Sequence, residues 1–286
     1  MDKYYYLIQD SCIKMLPVPD PLLKFRAEIN PYAGCPGSCI FCPESYLKRT
    51  GVRTNIPHLL EKELSFETSR LHIGLGTECE PYCSAEKKYN ITRHSIEICA
   101  KYGAVLQIFT KSSLILRDIS LLKVLSEKGR LAVSVSLFTA DKKLARLFEP
   151  LVASPGERFG LVSELNERGV FSGIVLGPIL PSVSDSEEIL EEVFINAKKA
   201  DAKYVIPRVL SAGNDILQKN IFKLIQENFP ESGRNIRLIY ENYEVIPRAY
   251  FDRLWDLLQT LSQKYSLPLS IPVHGESDVS QNVVKV

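Results

Sequence analysis

The segment Asn30-Pro31-Tyr32-Ala33-Gly34-Cys35-Pro36-Gly37-Ser38-Cys39-Ile40-Phe41-Cys42 carries three cysteines in a C-x3-C-x2-C spacing. Soft thiolates a few residues apart on one backbone turn are the ligand set of an iron-sulfur cluster, and three ligands leave one iron of a four-iron cluster open to chemistry. A three-cysteine zinc site is the first competing reading, because an open coordination position also separates catalytic zinc from structural zinc. A loop with incidental cysteines is the second. Gly34, Pro36 and Gly37 supply the turns, and Asn30-Pro31 ends a strand-like segment.

Working outward from the loop, apolar β-rich runs alternate with amphipathic helical stretches from residue 23 onward, the pattern of parallel strands joined by crossover helices. Six strands are expected, near Lys24 to Ile29, Leu71 to Leu75, Val105 to Thr110, Leu131 to Leu137, Gly173 to Ile179 and Tyr204 to Val209. Five helices fall between them, near Pro57 to Leu64, Ile91 to Tyr102, Asp118 to Glu127, Pro155 to Arg168 and Glu187 to Ala200. Gly129 and Gly169 sit at expected helix ends, and Ser154-Pro155 reads as an N-cap followed by proline in the first turn.

The fold class is therefore α/β, a partial (β/α)6 TIM-type barrel spanning 23–210, with a short N-terminal extension (1–22) and a C-terminal α/β segment (211–286). That last segment comprises a helix near Ile216 to Asn228, a short apolar run at Ile236 to Tyr240 and a long helix near Ala249 to Tyr265; it is expected to close or flank the barrel. Residues 275–286 are expected to fray. The cysteine loop then follows the first strand, at the C-terminal face where α/β barrels build their sites.

Composition narrows the function classes. At 286 residues, 45% hydrophobic and 24% charged, the chain suits a globular enzyme, and no apolar run approaches the roughly 18 residues of a membrane span. The N-terminus lacks the pattern of a secretory signal, and seven cysteines in a chain this long are no disulfide framework, so a reducing cytoplasmic location is expected. Lys plus Arg number 35 against 34 for Asp plus Glu, which gives no global attraction to phosphate backbones. The pairs Lys87-Lys88, Lys142-Lys143 and Lys198-Lys199 could form a local patch or be solvated helix faces.

The cysteine loop resembles the signature of the radical S-adenosylmethionine (SAM) superfamily, in which the residue before the third cysteine is usually aromatic, as Phe41 is here. Beyond it, the stretch from Ile29 to Val209 is similar to the subgroup related to spore photoproduct lyase, often described as DNA repair photolyase-like. The similarity lies in Gly76-Thr77-Glu78-Cys79-Glu80-Pro81-Tyr82, Glu86-Lys87-Lys88-Tyr89, Thr92-Arg93, Thr110-Lys111-Ser112, Arg117-Asp118, Phe148-Glu149-Pro150, Ser154-Pro155 with Arg158, and Gly177-Pro178-Ile179-Leu180-Pro181, in that order. The resemblance implies a radical SAM core with a [4Fe-4S] cluster on Cys35, Cys39 and Cys42. The open iron chelates the amino and carboxylate groups of SAM, and the cluster's electron cleaves SAM to a 5'-deoxyadenosyl radical.

By the same resemblance, Thr77 and Glu78 face the SAM amino group and Lys111 faces its carboxylate; a buried zwitterion needs such partners. Ser134 and Ser136 share a strand face, and one of them is expected to touch the ribose or methionine. Phe41 and the main chain around Leu176, Pro178 and Ile206 line the cofactor. Glu149 and Arg158 are expected to pair structurally. Spore photoproduct lyases carry a hydrogen-donor cysteine at the end of strand two and a tyrosine after the third cluster cysteine; this chain has Gly76 and Pro43 there. Cys79 and Cys83 are displaced donor candidates. Alternatively, with Cys12 and Cys99, they could bind a second cluster, or be buried inert thiols. His58, His72, His94 and His274 show no metal spacing. Tyr4, Tyr5 and Tyr6 either pack on the barrel bottom or stack on a substrate.

The function expected is a radical SAM enzyme that abstracts a substrate hydrogen. It would be served by an external one-electron reductant of the flavodoxin or ferredoxin type and would act on a peptide or protein brought by a separate presenting protein. A photoproduct-lyase-like nucleic-acid repair enzyme is the alternative reading, and a metal-binding scaffold without catalysis is the third.

Overall fold

The computed structural model describes residues 3–18, 22–47, 49–67, 70–210, 215–241 and 247–272. His274 and the segment 275–286 lie outside them. The strands are β1 (Tyr4–Leu7), β2 (Lys14–Met15), β3 (Ala27–Ile29), β4 (Tyr32–Ala33), β5 (Thr50–Arg53), β6 (His72–Leu75), β7 (Val105–Thr110), β8 (Leu131–Leu137), β9 (Ser172–Ile179) and β10 (Val205–Val209). The helices are α1 (Ile56–Phe66), α2 (Glu86–Tyr89), α3 (Ile91–Tyr102), α4 (Ile119–Glu127), α5 (Lys142–Phe148), α6 (Pro155–Glu167), α7 (Glu187–Lys199), α8 (Asp215–Asn228), α9 (Pro230–Glu241) and α10 (Arg248–Tyr265).

The six expected strands form one sheet in the order β10-β9-β8-β7-β6-β3, all parallel, with β2 added antiparallel at the β3 edge. Nothing among the described residues joins β2 to β10, so the barrel is open. Side-chain alternation builds both layers. Along β8, Val133, Val135 and Leu137 face the helices and join Ile73, Ile108 and Leu161 in the main core. On the other face, Ala132 joins Phe25, Tyr204 and Ile206, flanked by Phe109 and Val175, in a second cluster that fills the barrel from below. Gly173 makes room for that filling: a Cβ there would stand 2.6 Å from the Tyr204 ring.

The helices carry their own start and stop signals. Ser154 and Glu157 form a reciprocal capping box at α6, with proline in the first turn. Ser186 caps α7, whose acidic first turn and basic last turn match the helix dipole.

Two features depart from the sequence expectation. The run Ile236 to Tyr240, expected as a β-type element of the C-terminal segment, lies inside α9. Ile236 and Ile239, three residues apart, meet one apolar face shared with α8, Phe138 and Phe148, and that helical spacing overrides the short run's β propensity. The described C-terminal segment is thus helical, with α10 against α7 through Phe194 and Tyr265 and through the Tyr265 hydroxyl, which donates to Glu191 at 2.7 Å. The N-terminal extension is more than a tail: β1 pairs parallel with β5, which pairs antiparallel with β4, in a small second sheet beside the cysteine loop. No helix among the described residues is long and apolar enough to cross a membrane.

Gly173→Ala is expected to destabilise the fold by about 1–3 kcal/mol through overlap with Tyr204. Gly156→Ala, where a Cβ meets nothing within 4 Å, should be neutral or stabilise α6 by up to about 1 kcal/mol. Chemical denaturation of both variants checks the pair.

Candidate functional site

The C-terminal ends of the strands surround a cavity of about 950 Å³. The loop after β3 and β4 brings Cys35, Cys39, Phe41 and Cys42 to its wall; the loop after β6 brings Thr77, Glu78, Cys79 and Cys83. Lys111 enters from the end of β7 and Ser136 from β8. Four further predicted residues sit elsewhere. Ser134, one pleat below Ser136, is fully buried, accepts from the Gln107 side chain at 3.0 Å and bonds the Tyr204 hydroxyl at 3.0 Å. The Leu176 side chain turns to the helix layer while its neighbour Val175 lines the cavity. Ile206 lies in the apolar filling beneath, and Pro178, half-buried, follows a cis peptide bond.

The cysteine loop is docked by Ile40, whose amide donates to the Phe148 carbonyl at 2.9 Å, and by Phe41, whose ring lies 5.4 Å from that of Phe138. Gly37 keeps an open cradle between two sulfurs: a Cβ there would lie 3.4 Å from Cys35 Sγ, 3.8 Å from Cys39 Sγ and 2.7 Å from Val152. Among the described residues, no three His, Cys, Asp or Glu side chains converge as ligands of one metal ion. In a four-iron cluster each cysteine binds its own iron, which asks for a wider triangle of soft sulfurs around a space. The donor set and the cradle fit such a cluster.

The thiols differ electrostatically. A hydrogen bond from Cys79 lowers Cys35 below its ordinary value and correspondingly raises Cys79, whereas burial pushes Cys39 up to about 12. Cys83 is raised to about 12 by burial. Cys12 and Cys99 neighbour each other, Cys12 against the Glu63 carboxylate and Cys99 inside α3; Cys79 and Cys83 neighbour Cys35 and Glu80. The four form two pairs in different surroundings.

The polar wall is held by carboxylates. Glu80 accepts from the Thr110 hydroxyl at 2.5 Å, the Lys111 amide at 2.7 Å and the Tyr82 amide at 3.0 Å, fixing the β6 loop to the end of β7. Thr77 donates to Glu28 at 2.8 Å, and the Glu78 amide donates to Asn30 at 2.9 Å. Lys14, from the edge strand β2, reaches Glu28 at 2.6 Å and Glu78 at 3.3 Å. Burial disfavours the Lys111 ammonium, but Cys39 and Glu149 outweigh it and hold Lys111 above its ordinary value. Glu149 and Arg158 pair at 2.5 Å, as expected.

Among the lining residues that escaped the sequence reading are Glu28 and Arg208. Both had a signal. Glu28 is the inward residue between Ala27 and Ile29, and Arg208 shares a strand face with Ile206 at a strand end.

Tyr4, Tyr5 and Tyr6 lie on the site side, not the barrel bottom. The Tyr4 hydroxyl is 3.4 Å from Ser84 of the cavity wall, and Tyr4 and Tyr6 meet Tyr89 edge-on at 5.7 and 6.0 Å. Lys3, Arg49 and Lys88 stand over Tyr4, Tyr5 and Tyr89 at 5.6, 5.7 and 4.9 Å. Of the lysine pairs, Lys87-Lys88 in α2 and Lys142-Lys143 at the start of α5 are on this pole, while Lys198-Lys199 end α7 at the opposite one. The three do not converge.

No protein-family profile matches the chain. An uncharacterized protein of Mycobacterium tuberculosis is 28% identical over 259 residues, covering 86% of this chain and 76% of its own length. One from Methanocaldococcus jannaschii is 27% identical over 258 residues, covering 86% and 90%. Among solved structures, spore photoproduct lyase complexed with dinucleoside spore photoproduct superposes with a TM-score of 0.67 at 15% identity, covering 93% of this chain and 80% of that one. The fold is the radical SAM fold of the spore photoproduct lyase type. A second radical SAM neighbour, Streptococcus suis SuiB bound to its precursor peptide SuiA, aligns at a TM-score of 0.50 and 18% identity over 72% of this chain and 48% of that one.

In the metal-free protein, Cys35 is expected to be alkylated at lower pH than Cys39, because the thiolate is the reacting form and Cys35 ionises first. Cys79→Ala should move Cys35 modification to higher pH. Peptide mapping after timed iodoacetamide treatment across pH 6–9.5, an interval set by about the ordinary thiol range, reads both.

Proposed function

We propose that the protein is a radical SAM enzyme that binds a [4Fe-4S] cluster on Cys35, Cys39 and Cys42 and abstracts a hydrogen atom from its substrate. The observation that supports this best is the meeting of the three cysteines with Thr77, Glu78, Lys111 and Ser136 in one cavity wall. Bound there, the cluster and SAM supply one electron and a deoxyadenosyl radical, with the electron drawn from a flavodoxin- or ferredoxin-type reductant. The chain's own residues do the rest. Lys111 offers a cation to the SAM carboxylate, Thr77 and Glu78 take its ammonium, and Ser136 reaches the ribose or methionine. Phe41, Val175 and the main chain near Leu176 and Pro178 flank the adenine, above Ile206. Cys79 and Cys83 each place a thiol hydrogen in the wall that a substrate radical can take back.

For the substrate, the rim favours a peptide or protein delivered by a separate presenting protein. Leu16, Val18, Leu23 and Leu151 give the cavity an aliphatic lining, with Val18 and Leu151 exposed, and Lys14 neutralises Glu28 and Glu78. The neighbour SuiB is bound to a precursor peptide. A nucleic-acid substrate is the second reading, favoured by the ledge of Tyr4, Tyr6 and Tyr89 with Lys3, Arg49 and Lys88, since aromatic faces and cations together suit single strands.

The test is deoxyadenosine formation by anaerobically reconstituted protein with dithionite and SAM. Cys39→Ala should abolish it, and a peptide pool, rather than irradiated DNA, should stimulate the wild type. Stimulation by DNA alone, lost in Tyr6→Ala/Lys88→Ala, would select the second reading. Zinc without iron, or no SAM cleavage at full iron load, would sink the enzyme and leave a scaffold.

A further inference from the structure

Glu149 follows the last residue of α5 and is shut away from water, with no side-chain exposure. It contacts three groups of different kinds. Arg158 Nη2 donates to its Oε2 at 2.5 Å; Lys111 Nζ lies 3.8 Å from its Oε1; and the Cys39 thiol points at the same oxygen from 3.9 Å. Arg158 is itself anchored, donating to the Ser136 carbonyl at 2.9 Å and the Ala153 carbonyl at 2.8 Å, and both of those residues line the cavity. One residue earlier, the Phe148 carbonyl takes the Ile40 amide. A carboxylate neutralised by arginine needs no second cation and no thiol beside it. Here both are supplied by the two halves of the cofactor site.

We propose that Glu149 is a positioning residue that holds Lys111 beside Cys39 and sets the electrostatic field in which the cluster is reduced. The inference rests on the enzyme reading above. A fixed negative charge in a dry, low-dielectric wall opposes the arrival of a further electron nearby, and burial keeps salt from screening it. Arg158 opposes that effect from the far side of the carboxylate and Lys111 opposes it from the cavity side, so the field at Cys39 is the balance of one anion against two cations, and Glu149 is its negative member. Glu149 thereby makes the potential lower than the two cations alone would set it and presents Lys111 towards the cysteine loop.

The test is redox titration of the reconstituted, SAM-free protein, followed by its electron paramagnetic resonance signal, with iron per chain measured alongside. Glu149→Gln keeps the shape and an acceptor for Arg158, and should move the midpoint to more positive potential. Glu149→Gln/Arg158→Gln removes both charges, which a packed interior tolerates better than one alone, and its midpoint should fall between the wild type and the single variant. If the single variant does not fold, the double variant must still lie above the wild type. An unchanged midpoint in an iron-loaded variant overturns the proposal even where melting temperature falls, because a purely structural role moves stability and not potential. A double variant shifted further than the single one overturns it too. A wild type that takes up no iron overturns the enzyme reading itself, a distinguishable failure.

Discussion

A carboxylate without access to water has to be surrounded by donors, and at Glu86 this requirement fastens together the parts of the chain that carry the site. Its side chain accepts from the Tyr32 hydroxyl at 2.5 Å, the Thr92 amide at 2.9 Å, the Arg93 amide at 3.2 Å and Arg117 at 2.6 Å. Tyr32 lies three residues before the first cysteine, Thr92 and Arg93 open α3, and Arg117 follows β7. Asp118, also buried, receives Arg93 and Arg117 in turn. Stripping one partner from such a group typically costs about 3–5 kcal/mol, a large share of a domain's total stability. The loops therefore stand or fall together.

The same device recurs because the sheet does not close. A complete barrel would hold its loops by pairing its last strand to its first; here no described strand joins β2 to β10, and the loops at the C-terminal pole need their own ties. Glu80 joins the β6 and β7 loops, Glu28 joins the floor of the cavity to Thr77, and Glu149 joins the cysteine loop to α6. Apolar burial against the helices supplies most of the driving force for folding, but it is indifferent to loop direction. Buried charge is directional, and the sequence segments T-E-C-E-P-Y, E-K-K-Y and F-E-P each spend a glutamate on it.

That division explains what was legible in the chain. β7 and β8 carry their boundaries in the sequence because both faces are buried and apolar runs end at Thr110 and Leu137. β3 is shorter than the span expected from Lys24 to Ile29, since Lys24 takes a left-handed conformation and the strand itself begins at Ala27. The small sheet was invisible: Tyr4–Leu7 has no alternation, and its partner Thr50–Arg53 is 46 residues away. Ser134 and Ser136 were correctly placed on one face, yet depth along a strand is set by what intrudes from elsewhere. The Tyr204 hydroxyl reaches Ser134 past Gly173, two strands over, and nothing local to Ser134 announces it.

At Gly76, where the resemblance to spore photoproduct lyases would place a donor cysteine, the backbone itself excludes one. Gly76 has φ of +80°, and a Cβ there would lie 2.5 Å from the Pro81 ring and 3.0 Å from the Phe109 carbonyl. A cysteine would need a conformation that L residues rarely adopt and would have to displace a ring wedged against the end of β7. Pro81 is held in place because its carbonyl accepts the Thr92 hydroxyl at 2.6 Å, inside the same network that Glu86 organises. The turn and the network thus exclude a thiol at the strand end. Cys79 and Cys83, three and seven residues further on, are the thiols that the loop does present to the cavity, and Cys79 sits against Cys35. A hydrogen returned to a substrate radical from this wall would arrive from beside the cysteine loop rather than from the end of β6. On the function proposed above, a substrate would therefore have to expose its radical carbon to that side, a geometric demand different from one met at the end of β6.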